Sequence, residues 1–336
     1  AIRSASNGFS AETLFVNIQS AGQVARDIVL RLEQPGGEIF LDTQISRQAA
    51  VMDALVAAGI PAPHVIGLEM QGDLLGHPFI AMEKSPGQTF PQTPNYMVAG
   101  WVRELAPHQR RRLWENALGL LGKVNSLGVS DGFGFLDSPQ YGVSGLQQYL
   151  GWLRAWRADS VSGRDHPLIE AASQFLWESQ PADLPVNFIW GDSNPCNMLF
   201  EGDLSVSAIL DFEAAALGPA EVDLGWWLFL DRTRVGNRPL LDGVPDRAAC
   251  IAIYEQALGR DARAVDYFEI MGGMRMVLVI VRTVDRLIAI GELPPDTDAA
   301  LANPIAVALG ALLGIASPPP GQGFQDFIAA VTRSKA

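Results

Sequence analysis

The chain has 336 residues, 48% hydrophobic and 18% charged, with a formal net charge of −13. That composition supplies more than one packed core and excludes a disordered chain. The acidic balance argues against nucleic acid, whose phosphates need Lys and Arg, and against an anionic membrane surface. Cys196 and Cys250 are too few for a disulfide framework and match no metal spacing, which points to a reducing, cytoplasmic setting.

In chain order, residues 13–19 and 27–32 are rich in β-formers around a turn and predict a hairpin, with room for a further strand in the first residues. Ile45, Ala49, Met52, Leu55 and Val56 fall at helical spacing, with Gly59 as the stop. Two more strands are expected at 64–70 and 78–84, making a small antiparallel sheet with one helix. The Pro- and Gly-rich segment 85–95 reads as a linker, so the expected units are 1–84 and 85–336. Beyond it the pattern turns helical, with helices expected near 108–128, 143–158, 167–179, 221–231, 247–258, 265–290 and 298–315, then a short terminal one. A strand at 205–212 interrupts them, so the fold class is α+β. The first ten residues hold no signal-peptide core, and the longest apolar run, 305–316, is too short to span a bilayer.

The chemistry concentrates in "WGDSNPCNMLFEGDLSVSAILDFE", residues 190–213. Asp192 follows an apolar strand, Asn197 comes five positions later, and Asp211 closes a second strand fourteen positions beyond that. A hairpin of this length brings Asn197 and Asp211 together. An amide oxygen and a carboxylate are hard ligands suited to Mg²⁺, which protein groups share with substrate phosphates. Asp192 is left to orient a hydroxyl and accept its proton. These are the parts of phosphoryl transfer from a nucleotide. Taken alone, Asp192 would read as a turn former; its spacing to Asn197, Asp211, Phe212 and Asp223 carries the functional reading.

This stretch resembles the catalytic and metal loops of the aminoglycoside phosphotransferase family, small-molecule kinases with a two-lobed, protein-kinase-like fold. The family pattern is His-Gly-Asp, then Asn, then a strand ending Ile-Asp-Phe or Ile-Asp-Trp; here it stands as Trp190-Gly191-Asp192, Asn197 and Leu210-Asp211-Phe212. The resemblance implies that Asp192 is the catalytic carboxylate, that Asn197 and Asp211 hold Mg²⁺, and that Asp223 in "AEVDLGWW" supports the catalytic loop's backbone. "NGFSAETLFV" looks like the phosphate-covering loop, which gives Gly8, Phe9 and Ser10 to the nucleotide. "IVLRL" looks like the strand bearing the nucleotide-phosphate cation, and "PFIAMEKSPGQTF" like the hinge, with Met82, Glu83 and Ser85 near the base. The branch most resembled includes kinase domains fused to acyl-CoA dehydrogenases. The implied reaction uses ATP or GTP and a small-molecule hydroxyl as acceptor, bound by the helical part between Pro107 and Ile290.

Three positions depart from the pattern. Arg31 stands where the family has a strand Lys, and its fork is not equivalent to an ammonium. Gln48 stands at the helix Glu that pairs with that Lys, so the expectation is that Arg31 donates to the Gln48 amide oxygen in place of an ion pair. Trp190 replaces the His. Asp192, Asn197 and Asp211 are intact, which favours an active kinase, while a nucleotide- or ligand-binding protein without full activity stays open, as do acceptor identity and oligomeric state.

Overall fold

The computed structural model describes residues 2–4, 11–19, 26–33, 38–92, 94–161 and 165–334. Backbone pairing builds the first sheet: β1 (Ile2–Ser4), β2 (Ala11–Ile18) and β3 (Arg26–Glu33) pair antiparallel in succession. The helix α1 (Ile45–Ala57) follows, burying Ile45, Ala49, Val51, Met52 and Leu55 along one stripe and ending where Gly59 takes φ +76°. Strands β4 (Val65–Glu69) and β5 (Phe79–Glu83) complete the sheet in the order β1-β2-β3-β5-β4. Arg31 stands opposite Ile80 in the β3/β5 ladder. The expected hairpin, helix and strand pair are all present.

The segment that reads as a linker is tied down. Gln88 exchanges backbone hydrogen bonds with Phe200 at 2.9 and 3.0 Å, and Phe90 is buried among aromatic rings. Next come a short turn of helix, α2 (Trp101–Glu104), which periodicity did not foretell, and α3 (Pro107–Ser126), whose first residue is a proline that needs no intrahelical donor. Helices α4 (Leu146–Val161) and α5 (Pro167–Glu178) lead into β6 (Asn187–Ile189).

The strands β7 (Met198–Phe200) and β8 (Val206–Ile209) form the expected hairpin, although β8 ends earlier than the sequence suggests. The reason is local: Asp211 sits at φ +65°, outside strand geometry. A further strand, β9 (Ala216–Gly218), pairs with β6. The remainder is α6 (Glu221–Val235), α7 (Arg247–Leu258), α8 (Val265–Ala289), α9 (Pro304–Leu313) and α10 (Gln322–Ser334). Asp246 caps α7 through Ala249 N at 2.9 Å, and Asn303 caps α9 through Ala306 N at 2.9 Å.

One core runs from α1 through α3 and the β7/β8 hairpin to α6; a second lies among α4, α5, α8 and α9. Helices α6 and α8 pack very closely because Gly225 carries no Cβ, which would otherwise overlap the Phe268 backbone. Among the described residues, no helix is long and apolar enough to cross a membrane.

Candidate active site

Phe188 and Ile189 of β6 are wholly buried, and the chain leaves that strand at Trp190 and Gly191. Gly191 is required there: it takes φ +93°, and a Cβ would overlap the Ala214 carbonyl. The buried Asp223 on α6 then fixes the turn. Its Oδ2 accepts from Trp190 N at 2.7 Å and Asn125 Nδ2 at 2.7 Å, and its Oδ1 from Gly191 N at 2.9 Å. Burial raises the Asp223 pKa, and these donors work against the rise.

The loop so held presents Asp192. Its Oδ1 accepts from Asn194 Nδ2 and Trp226 Nε1, both at 2.9 Å, and its Oδ2 from Asn197 Nδ2 at 2.7 Å. The carboxylate is clamped from both sides. Burial, and then the charge of Asp211, raise its pKa, while Asn197 and Trp226 hold it down. Asn194 also caps the turn at Cys196 N, at 3.0 Å, so it serves the turn and Asp192 at once.

Asn197 and Asp211 are neighbours, as the hairpin length requires: Leu210 N donates to Asn197 O at 2.8 Å. Because Asn197 spends its Nδ2 on Asp192, its amide oxygen faces away from that carboxylate. Asp211 is a third exposed, and its Oδ2 accepts no hydrogen bond among the described residues. One amide oxygen and one open carboxylate oxygen on adjacent strands fit a hard divalent cation such as Mg²⁺. The left-handed Asp211 is the kind of backbone strain that accumulates at working sites. Trp190, where the pattern has His, does more than fill space: Nε1 donates to Leu210 O at 2.8 Å and Asp211 O at 3.1 Å, tying the catalytic loop to the metal loop.

Arg31 reaches the same place from β3. Its Nη2 donates to Asp211 Oδ1 at 3.0 Å and pairs with Glu213. Burial works against the Arg31 charge, but Asp211 and then Glu213 outweigh it, and its pKa is raised. The expected hydrogen bond from Arg31 to Gln48 is not formed. Gln48 is buried on α1 with no side-chain hydrogen bond to Arg31 among the described residues, and the partner is Glu213, 182 positions away. The reason is geometric and electrostatic: a guanidinium on β3 reaches the metal loop, where a carboxylate outcompetes a neutral amide. Met82 is buried at the end of β5, Glu83 is exposed, and Ser85 makes no hydrogen bond among the described residues. Gly8, Phe9 and Ser10 lie outside the described residues.

The family model described as "APH: Phosphotransferase enzyme family" matches residues 1–268. The chain belongs to this phosphotransferase family. The mouse protein acyl-CoA dehydrogenase family member 10 is 27% identical over 209 residues, 60% of this chain but only 18% of that relative's length. Among solved structures, a candidate aminoglycoside phosphotransferase from Ralstonia eutropha JMP134 superposes with a TM-score of 0.68 at 20% identity, covering 94% of this chain and 92% of the other. The GDP and kanamycin complex of APH(2")-IIia gives 0.54 at 14% identity, covering 93% and 91%. At such identities these structures establish the fold: a two-lobed phosphotransferase architecture with an antiparallel sheet beside a larger helical part. Within this phosphotransferase-family chain, the site also takes in three residues that the sequence motifs did not single out, Trp226, Glu213 and Arg275. A charged residue inside the apolar run of α8 was the available signal for Arg275.

Proposed function

We propose that the chain is a Mg²⁺-dependent phosphotransferase that moves the γ-phosphoryl group of ATP or GTP to a hydroxyl of a small molecule. One observation carries this reading: Asp192, clamped by three side-chain donors, stands beside Asn197 and an Asp211 with an open carboxylate oxygen. Residues 1–84 form the nucleotide lobe, with Gly8, Phe9 and Ser10 over the phosphates and Met82, Glu83 and Ser85 along the base. Residues 85–336 carry the chemistry and the acceptor. Arg31 supplies positive charge to the phosphates. Asn197 and Asp211 would hold Mg²⁺, which supplies neutralisation of phosphate charge. Asp192 orients the acceptor hydroxyl and takes its proton, and Asp223 keeps the loop in place.

An open recess lies beside the metal loop, with Glu213, Ala214 and Ala215 on its rim. Its walls are Leu41, Leu136, Tyr141, Tyr149, Trp152 and Leu217. The carboxylates there are engaged, Asp42 by the Tyr141 hydroxyl and Glu213 by Arg31, and Arg47 adds a positive charge. We assign the acceptor to this recess. Its apolar walls and committed carboxylates suit a neutral or weakly charged alcohol and oppose a polycation. Calorimetric titration with kanamycin is therefore expected to show no saturable binding tighter than about 1 mM; micromolar binding would refute the assignment.

The Arg31–Asp211 contact favours a second reading, a protein that binds nucleotide without transferring phosphate, because the cation engages a metal ligand. Thermal unfolding with Mg²⁺-ATP, repeated with EDTA, and ADP release over a panel of alcohols separate the two. The transferase reading expects an EDTA-sensitive rise in Tm together with acceptor-dependent ADP release. A rise in Tm without any turnover favours the second reading, and no nucleotide effect at all rejects both.

A further inference from the structure

The charged residue most at odds with its surroundings is Arg275. It stands in the middle of α8, wholly buried, with no carboxylate paired to it among the described residues. Its Nε and Nη1 are buried without a hydrogen-bond partner there. A buried guanidinium with two unmet donors costs stability, so its contacts call for an explanation.

Those contacts all lead to one place. Nη2 donates to Gly191 O at 2.5 Å, the carbonyl of the peptide that enters Asp192. The guanidinium carbon lies 4.4 Å from the Trp226 ring centroid and 5.9 Å from that of Tyr149. Trp226 in turn donates from Nε1 to Asp192 Oδ1 at 2.9 Å. Arg275 therefore grips the catalytic loop twice, directly at the Gly191 carbonyl and through the indole at the Asp192 carboxylate. Gly272, three residues before Arg275, lets α8 approach the Trp226 backbone closely.

We propose that Arg275 and Trp226 form a positioning pair that sets the orientation of the Asp192 carboxylate. The proposal rests on the phosphotransferase reading above. The cation over the indole face fixes the ring, and the fixed ring offers Nε1 to Oδ1 in one direction only. Asn197 holds Oδ2, so the carboxylate plane is set by groups on opposite sides. Neither Arg275 nor Trp226 needs to touch substrate. Both act through Asp192, where a small misplacement is costly.

The test uses Arg275→Met, Arg275→Lys, Trp226→Phe and the double variant Arg275→Met/Trp226→Phe, all in the full chain. Each folded variant is expected to keep its KM for Mg²⁺-ATP within about threefold while kcat falls by about 10–10²-fold. The double variant is expected to be no slower than Arg275→Met, because both changes break one chain of contacts. A second readout needs no turnover. The Trp226 indole ¹H–¹⁵N resonance, assigned by its loss in Trp226→Phe, is expected to move in both Asp192→Asn and Arg275→Met. If Arg275→Met fails to fold, the Lys variant carries both readouts. It keeps the charge but loses the planar fork, so a lower kcat and a shifted indole support the pair. An unchanged kcat with an unmoved indole resonance overturns the proposal, as does a strictly additive double variant. If the wild-type chain turns over no alcohol, the phosphotransferase reading fails; the indole shift still decides whether Arg275 positions Asp192.

Discussion

Replacing Asp192 by asparagine is expected to lower kcat by about 10²–10⁴-fold, the usual worth of a positioned proton acceptor. The change is nearly isosteric, so the fold should persist, and calorimetry should show Mg²⁺-ATP affinity within a few-fold of wild type. The hydrogen bonds explain why the loss should fall on the chemical step. Trp226, Asn194 and Asn197 all donate to this carboxylate. Asp192→Asn supplies only one acceptor oxygen, so an amide N–H must face one of those donors. Facing Trp226 and Asn194, the N–H leaves the new amide oxygen to accept from Asn197, whose own oxygen stays towards the position proposed for the metal. The substitution thus removes the proton acceptor and spares the nucleotide and metal contacts. Single-turnover kinetics check this: a kcat within tenfold of wild type would mean that Asp192 is not the group that receives the acceptor proton.

How much of this was legible in the sequence depends on how local each contact is. Asp192, Asn197 and Asp211 could be placed because a short hairpin converts sequence spacing into spatial proximity, and β7 and β8 pair as that spacing requires. The fold class followed from the change of hydrophobic period after residue 84. The short strand β9 was not legible: Ala216-Leu217-Gly218 has no strand pattern, and only pairing with β6 extends it. The partner of Arg31 was equally hidden. Gln48 was chosen because it fills a pattern position, whereas Glu213 wins because the tertiary fold carries β3 over the metal loop. Spacing along the chain could not have supplied Glu213 either, because the backbone leaves strand geometry at Asp211, where φ is +65°. Trp226 shows the limit of composition: a buried indole N–H needs a partner, and only the fold shows that the partner is Asp192.

Asp223→Ala is expected to be the most destabilising single change near the site. The carboxylate is wholly buried and receives Trp190 N, Gly191 N and Asn125 Nδ2 at 2.7 to 2.9 Å. Removing it strands two buried backbone donors at about 1–3 kcal/mol each. Asn125 loses less, because its Nδ2 also donates to Phe188 O at 3.0 Å. Relief from burying a charge offsets part of the loss, since burial raises the Asp223 pKa. The net expectation is about 3 kcal/mol, or a fall in Tm of roughly 4 °C by scanning calorimetry. Asp223→Asn should fall between the two, because one amide oxygen can still serve one backbone donor while its NH₂ opposes the other. Hydrogen exchange gives the sharper check. The Trp190 and Gly191 amides should lose protection in Asp223→Ala beyond the global loss, because their acceptor is gone while β6 keeps its pairing with β9. If Tm and both amides stay at wild-type values, the loop is held by something other than Asp223. The Gly191 carbonyl, pinned from the other side by Arg275, would then be the main restraint on Asp192.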